Sequence, residues 1–160
     1  MTSLRFRTFS ERVRDDAIGL NLLGILLERQ NLCSASVAAF RSALDLEPDA
    51  DRKRPIARNL ARVLRNTEEV TSLLHRFKSE SFDEFCSEGF ILAKHHQYGE
   101  ALAAYESALP LAPPDLTSHV LAAMGVVQWA RDAREAQRLG RNVDVNTAKG
   151  ILFKWCVTAR

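Results

Sequence analysis

The 160-residue sequence has no CxxC pair, no glycine-rich phosphate loop and no apolar run near the ~20 residues that span a bilayer. Each absence removes a class of function. The three cysteines, Cys33, Cys86 and Cys156, are odd in number and far apart. That spacing argues against a zinc site or a disulfide framework, and for reduced, mostly buried thiols in a cytosolic or nuclear protein. Without a GxGxxG or P-loop string, nucleotide binding has no support, and no cofactor is expected. A formal charge of +2 is too small to point to a nucleic acid or a membrane. The N-terminus, MTSLRFRTFSERVRDD, lacks the apolar core of a secretory signal, and Glu11, Asp15 and Asp16 argue against a transit peptide.

Catalytic groups are equally scarce. His95 and His96 are adjacent, so on a helix they point apart, whereas metal-ligating pairs sit four residues apart on one face. Glu84 and Glu88 do share a face, but no opposing acid or nucleophile can be identified for them. Solvated surface explains both better, and the chain is expected to bind no metal and to be non-enzymatic.

What is present is periodicity. Hydrophobic content of 46% and charged content of 26% are those of a folded domain, and the length holds about four units of a 34-residue repeat. In the stretch from Phe85 to Pro113, Phe85, Gly89 and Leu92 fall on one helical face, and Ala101, Tyr105 and Ala108 repeat that spacing on a second helix. Gly89 and Ala101 let two backbones approach, Tyr105 fills the space beside Ala108, Tyr98-Gly99 marks the turn, and Pro113 ends the second helix. One hairpin of this size cannot bury its own apolar faces, so copies are required.

The copies are there. Leu20, Leu23, Gly24 and Leu27 precede Phe40, Ala43 and Pro48. Gly24 to Phe40 is 16 residues, as is Gly89 to Tyr105. These spacings resemble the helix-turn-helix signature of the tetratricopeptide repeat (TPR) family. The resemblance implies an all-α fold, a TPR-type solenoid of helical hairpins wound as a right-handed superhelix. The expected division is an N-terminal segment or end of a preceding helix over 1–16, a first repeat over 17–50, a degenerate second over 51–81, a third over 82–115, and a degenerate fourth with a C-terminal helix over 116–160.

Within these units, Ala17 to Gln30 and Ser34 to Leu46 are the expected helices of the first repeat, with Ser34 as a plausible N-cap. In the second, Ala57, Leu60, Ala61 and Leu64 form one face and Val70, Leu73, Leu74 and Phe77 the other, with Asn66-Thr67 as turn and cap. Arg52-Lys53-Arg54 reads as a charged loop, or as a basic nuclear-localisation or RNA patch. In the fourth, Leu121, Met124, Gly125 and Gln128 take the first-helix places, and a second helix should contain Glu135-Ala136. Asn142–Asn146 reads as loop. Ala148 to Val157 is apolar almost all round, which leads to the expectation of a longer array or a partner against the end of the chain.

In the TPR family the first helices line a concave groove. Carried onto this sequence, the resemblance puts Asn21, Arg29, Arg58, Asn59, Arg62, Arg65 and Lys94 into it. Arg58, Arg62 and Arg65 form a stripe at i, i+4 and i+7, suited to an acidic peptide or a phosphate backbone. A solvated helix face is the plainer explanation. The carboxylate-clamp pattern of lysines and asparagines is incomplete, since only Asn21 and Asn59 approach it.

The wording between repeat positions, in GLNLLGILLERQNLCSASVAAFRSAL, SFDEFCSEGFILAKHHQYGEALAAYESAL and SHVLAAMGVV, resembles the TPR scaffold subunits of superkiller (Ski) complexes over roughly residues 17–138. That resemblance implies a scaffold joining an RNA helicase and WD-repeat subunits, with RNA contacted indirectly, in support of 3′-to-5′ mRNA decay by the cytoplasmic exosome. Two readings stand beside it: an adaptor for an acidic peptide, and direct RNA binding by the basic stripe. A membrane partner is not expected.

Overall fold

A computed structural model describes residues 16–140. The segment expectations for 1–15, for Asn142–Asn146 and for Ala148 to Val157 lie outside the described residues. Among those residues the secondary structure is seven α-helices and one short 3₁₀ turn, with no strand. The chain falls into two units, one ending at Lys78 and one beginning at Ser79.

The first unit opens with α1, Ala17–Arg29, whose N-terminal amides are satisfied by Asp16: its carboxylate accepts from the backbone N–H groups of Ile18 and Gly19. The chain reverses through Asn31, which adopts a positive φ of 59°. Asparagine tolerates that left-handed conformation better than most residues. α2, Cys33–Leu46, then runs back along α1. Here Ser34 lies inside the helix. The cap position is Leu32, which offers no side-chain acceptor, so the expected serine cap is not made.

Contact between α1 and α2 is set by one missing atom. A Cβ on Gly24 would lie 2.5 Å from Cε1 of Phe40, inside the ring's own space. Phe40 is fully buried in the gap. Ser36, also buried, donates its hydroxyl proton to the Gly24 carbonyl at 2.8 Å. Leu20, Leu23, Ala39 and Ala43 complete this core, and Leu27 packs on it.

α3, Ala50–Val63, begins at Asp49, whose carboxylate accepts from the amides of Asp51 and Arg52. That cap places Arg52, Lys53 and Arg54 in the first turns of a helix, not in the loop expected for them; Arg54 pairs with Asp51 at 2.6 Å. Pro55 lies within the helix. Ala57, Leu60, Ala61 and Leu64 are all buried, and Ile56 joins the core of the first hairpin. α4, Thr67–Arg76, is capped by Asn66 and carries Glu68 and Glu69 in its first turn, where the helix dipole favours acids. Val70 and Leu74 are buried, with Leu73 and Phe77 partly so.

The second unit repeats the device. α5, Phe82–Lys94, starts with a reciprocal capping box between Ser81 and Glu84. Glu84 is therefore a cap and not open surface. α6, Tyr98–Ala108, packs along α5. A Cβ on Gly89 would meet the Tyr105 ring at 2.8 Å. Leu92, Ala101 and Ala108 are buried beside it, and Phe85 is half-buried.

The turn between these helices is not Tyr98-Gly99. It runs through His95, His96 and Gln97, with His96 at a φ of 62°, while Tyr98 and Gly99 already belong to α6. Asn31 and His96 each stand seven residues after the close-packed glycine, so helix length fixes the turn. Pro113 is likewise not the stop: α6 ends at Ala108, and a 3₁₀ turn, Leu109–Leu111, carries the chain onward. Pro48 and Pro113 are both exposed.

α7, Thr117–Arg138, is one unbroken helix of 22 residues that packs on α6. Met124, Gly125 and Val127 are buried, and Leu121 and Gln128 are half-buried. The expected break before Glu135-Ala136 does not occur. Asp132 holds the place, seven residues past Gly125, where Asn31 and His96 turn the chain. It stays helical, accepting from the Gln128 amide one turn earlier at 2.9 and 3.1 Å. No glycine, asparagine or proline between Val126 and Leu139 offers a cheaper alternative.

Candidate functional site

The residues assigned to a groove fall into three groups. Asn21, Asn59 and Arg62 meet at the seam between α1 and α3. The Asn59 amide donates to the Asn21 side-chain oxygen at 3.0 Å. Arg62 makes a two-pronged bond to Glu28, with Nε to Oε1 at 2.9 Å and Nη2 to Oε2 at 2.6 Å. Both side chains are about a third exposed, so the pair is screened and contributes about 1 kcal/mol. These polar contacts bridge the first helices of the two hairpins.

Arg58 is the second case. It is buried, only 5% exposed, and sits where Gly24 sits one repeat earlier. Arg29, Arg65 and Lys94 form the third group: all are exposed. Arg29 ends α1, Arg65 follows α3, and Lys94 ends α5 in the other unit. The i, i+4, i+7 stripe is therefore not a uniform cationic strip. Burial removes Arg58, and Glu28 neutralises Arg62.

Glu28 is the residue that sequence reasoning missed. Its signal was available: it precedes Arg62 by 34 residues, one repeat length, and carries the opposite charge. Equivalent positions in neighbouring hairpins lie side by side, so such a pair reads as a strut between repeats.

The thiols are not the mostly buried ones expected: among the described residues Cys33, at the start of α2, is exposed and Cys86 is only partly buried. Among the described residues no three His, Cys, Asp or Glu side chains converge as a metal site would require. Burial, and then the charge of Asp83, push the Cys86 thiol above its ordinary value, which keeps it protonated and unreactive at neutral pH. Burial likewise raises the Tyr105 phenol. The His96 ring nitrogen Nδ1 lies 2.9 Å from the Tyr98 hydroxyl, a contact that ties the turn to the start of α6. In the second unit an open cleft of about 750 Å³ lies between Tyr98 and the last turns of α7. Its wall alternates in sign: Arg131 lies 3.5 Å from Asp132 and Arg138 3.0 Å from Glu135. No described helix is long and apolar enough to cross a membrane.

Glycine-on-aromatic packing recurs in both units, and the opposed charges stand one repeat apart. Tetratricopeptide repeat protein 37 of Xenopus laevis is 26% identical to the chain over 161 residues, covering 96% of the chain. The chain resembles the tetratricopeptide repeat family. It spans only 10% of that relative's length. No protein-family model matches it. The resemblance and the all-α hairpins agree on a helical-repeat surface of the kind suited to holding other proteins.

Proposed function

We propose that the chain is a non-enzymatic protein-interaction scaffold, and that it forms part of the TPR subunit of a Ski complex assisting the cytoplasmic exosome in 3′-to-5′ mRNA decay. The observation that supports it is the paired close packing of Gly24 on Phe40 and Gly89 on Tyr105, the contact that TPR hairpins are built on. Stacked hairpins present long rigid faces, which suits docking. The proteins docked are an RNA helicase and WD-repeat subunits, in the cytosol and in the nucleus, with RNA reached through them.

Capture from cell extract with the tagged chain tests the reading. Recovery of helicase and WD-repeat subunits together is the expected outcome. Chaperones in their place, or no protein at all, would overturn it. Direct polyanion binding by the groove residues is the weaker alternative, because Arg62 already holds Glu28 and Arg58 is buried, which leaves Arg29 and Arg65 of that set in the first unit.

A further inference from the structure

α7 ends in the same turn that closes the hairpins begun by α1 and α5. A residue with left-handed backbone stands two places past the last helical residue of each: Asn31 after Arg29 and His96 after Lys94, at φ of 59° and 62°. Gly140 stands two places past Arg138, the end of α7, at a φ of 66°. The hydrogen bonds match as well. In all three the N–H donates to the carbonyl three residues earlier: Asn31 to Glu28 at 2.9 Å, His96 to Ala93 at 3.0 Å and Gly140 to Gln137 at 3.1 Å. After Asn31 and His96 the chain runs back along the helix it has just left. At Gly140 the same geometry falls on the residue that adopts it without strain.

Gly125 stands on α7 where Gly24 and Gly89 stand on α1 and α5, with Leu121 and Gln128 spaced about it as Phe85 and Leu92 are about Gly89. Gly24 and Gly89 each lie under a ring from the helix that returns, Phe40 and Tyr105. α6, which precedes α7, packs along it, and among the described residues no helix follows it. A ring for Gly125 has therefore to come from beyond Gly140.

The sequence past Gly140 has the length and the pattern for this. Gly125 lies about 22 Å back along the axis of α7. In the two complete hairpins the outward run from glycine to turn is seven residues and the return to the aromatic is nine. The outward run of α7 is fifteen, so a wholly helical return comes level with Gly125 at about residue 157, and one with an extended link comes level sooner. Phe153 falls within that reach. Phe153-x-x-Cys156 also repeats the aromatic-x-x-small spacing of Phe40 to Ala43 and Tyr105 to Ala108. Ala43 and Ala108 are fully buried, and a reduced cysteine behaves as a small apolar residue in such a place. One position earlier, Ser42 and Ser107 are exposed, and Trp155 holds the matching position.

We infer that residues 148–157 dock on the Leu121–Gly125–Gln128 face of α7, with Phe153 over the glycine, Cys156 buried beside it and Trp155 turned to water. The occupant of that face is this chain's own apolar stretch and not a partner. Docking of this kind does not depend on what the scaffold holds.

Site-resolved alkylation tests it. The full chain is treated with N-ethylmaleimide, and the rate at each cysteine is read by peptide mass spectrometry relative to the same thiol in urea. Cys33 is exposed and serves as the fast reference. Cys156 should react about tenfold or more slowly than Cys33, at a rate that dilution does not change. Phe153→Glu should bring Cys156 to within about twofold of Cys33, and Gly125→Leu, which fills the seat, should do the same. Trp155→Glu should leave Cys156 slow. Cys86, on α5, reports whether the second unit stays folded in each variant, and where Gly125→Leu exposes it the Phe153→Glu result decides. Four results would overturn the inference: Cys156 as fast as Cys33, protection that dilution removes, protection lost with Trp155→Glu but kept with Phe153→Glu, or Gly125→Leu without effect while Cys86 is unchanged.

Discussion

Glu28 and Arg62 stand 34 residues apart in sequence and 2.6 Å apart in space. Each occupies the same position in its own hairpin, so the pair measures the register of one repeat against the next. A double-mutant cycle with Glu28→Gln and Arg62→Gln should give a coupling of about 0.5–1.5 kcal/mol, falling as salt is raised. Coupling near zero at low salt would mean that the register is held by apolar contacts alone.

Gly24 and Gly89 permit the helix crossings. Gly24→Ala should destabilise the first unit by about 1–3 kcal/mol in urea unfolding, because its methyl would occupy the Phe40 ring position 2.5 Å away. Combining it with Phe40→Leu should recover part of that loss. A Gly24→Ala chain as stable as the parent would refute the close approach.

Ser36 ties α2 to α1 through the Gly24 carbonyl. Ser36→Ala should cost about 1 kcal/mol, the net value of one buried neutral hydrogen bond. Its effect should not add to that of Gly24→Ala, since both act at one crossing.

Alkaline pH should loosen the second unit. Folding raises the Tyr105 phenol above its ordinary value of 10.0 and the Cys86 thiol above 9.0, both through burial first. A folded-state pKa above the unfolded one means that the stability is intact below those ordinary values. It is lost as pH climbs through the raised folded values, because the unfolded chain ionises first. The urea midpoint should therefore be flat near neutrality and fall above about pH 9 to 10. Tyr105→Phe should remove the phenol's share of that fall; an unchanged slope would assign it elsewhere.

Polyanion binding discriminates between the arginines. If the chain binds heparin, Arg62→Ala should change the affinity by less than about twofold, whereas Arg29→Ala with Arg65→Ala should weaken it and flatten its salt dependence. A dominant effect of Arg62 would restore the intact basic stripe.

The paired helices of the first and third repeats, the close approach at Gly24 and Gly89 and the alternating buried faces were legible in the chain, because helical packing recurs every three or four residues and leaves a local trace; that each glycine lies beneath the aromatic 16 residues on was not. Caps and turns were harder. Asn31 and His96 adopt left-handed backbone where helix length demands a reversal, and a histidine there lacks the turn signal that the nearby Gly99 carries without making the turn. Asp132 stays helical at the matching place, so α7 runs on where a hairpin was expected. The fate of the basic residues depended entirely on tertiary structure. Arg58, Arg62 and Arg65 look alike on a helical wheel, yet one is buried, one is held by Glu28 and one faces water. Helical period is a property of neighbours in sequence, whereas burial and charge pairing across a repeat depend on a second helix arriving from 34 residues away.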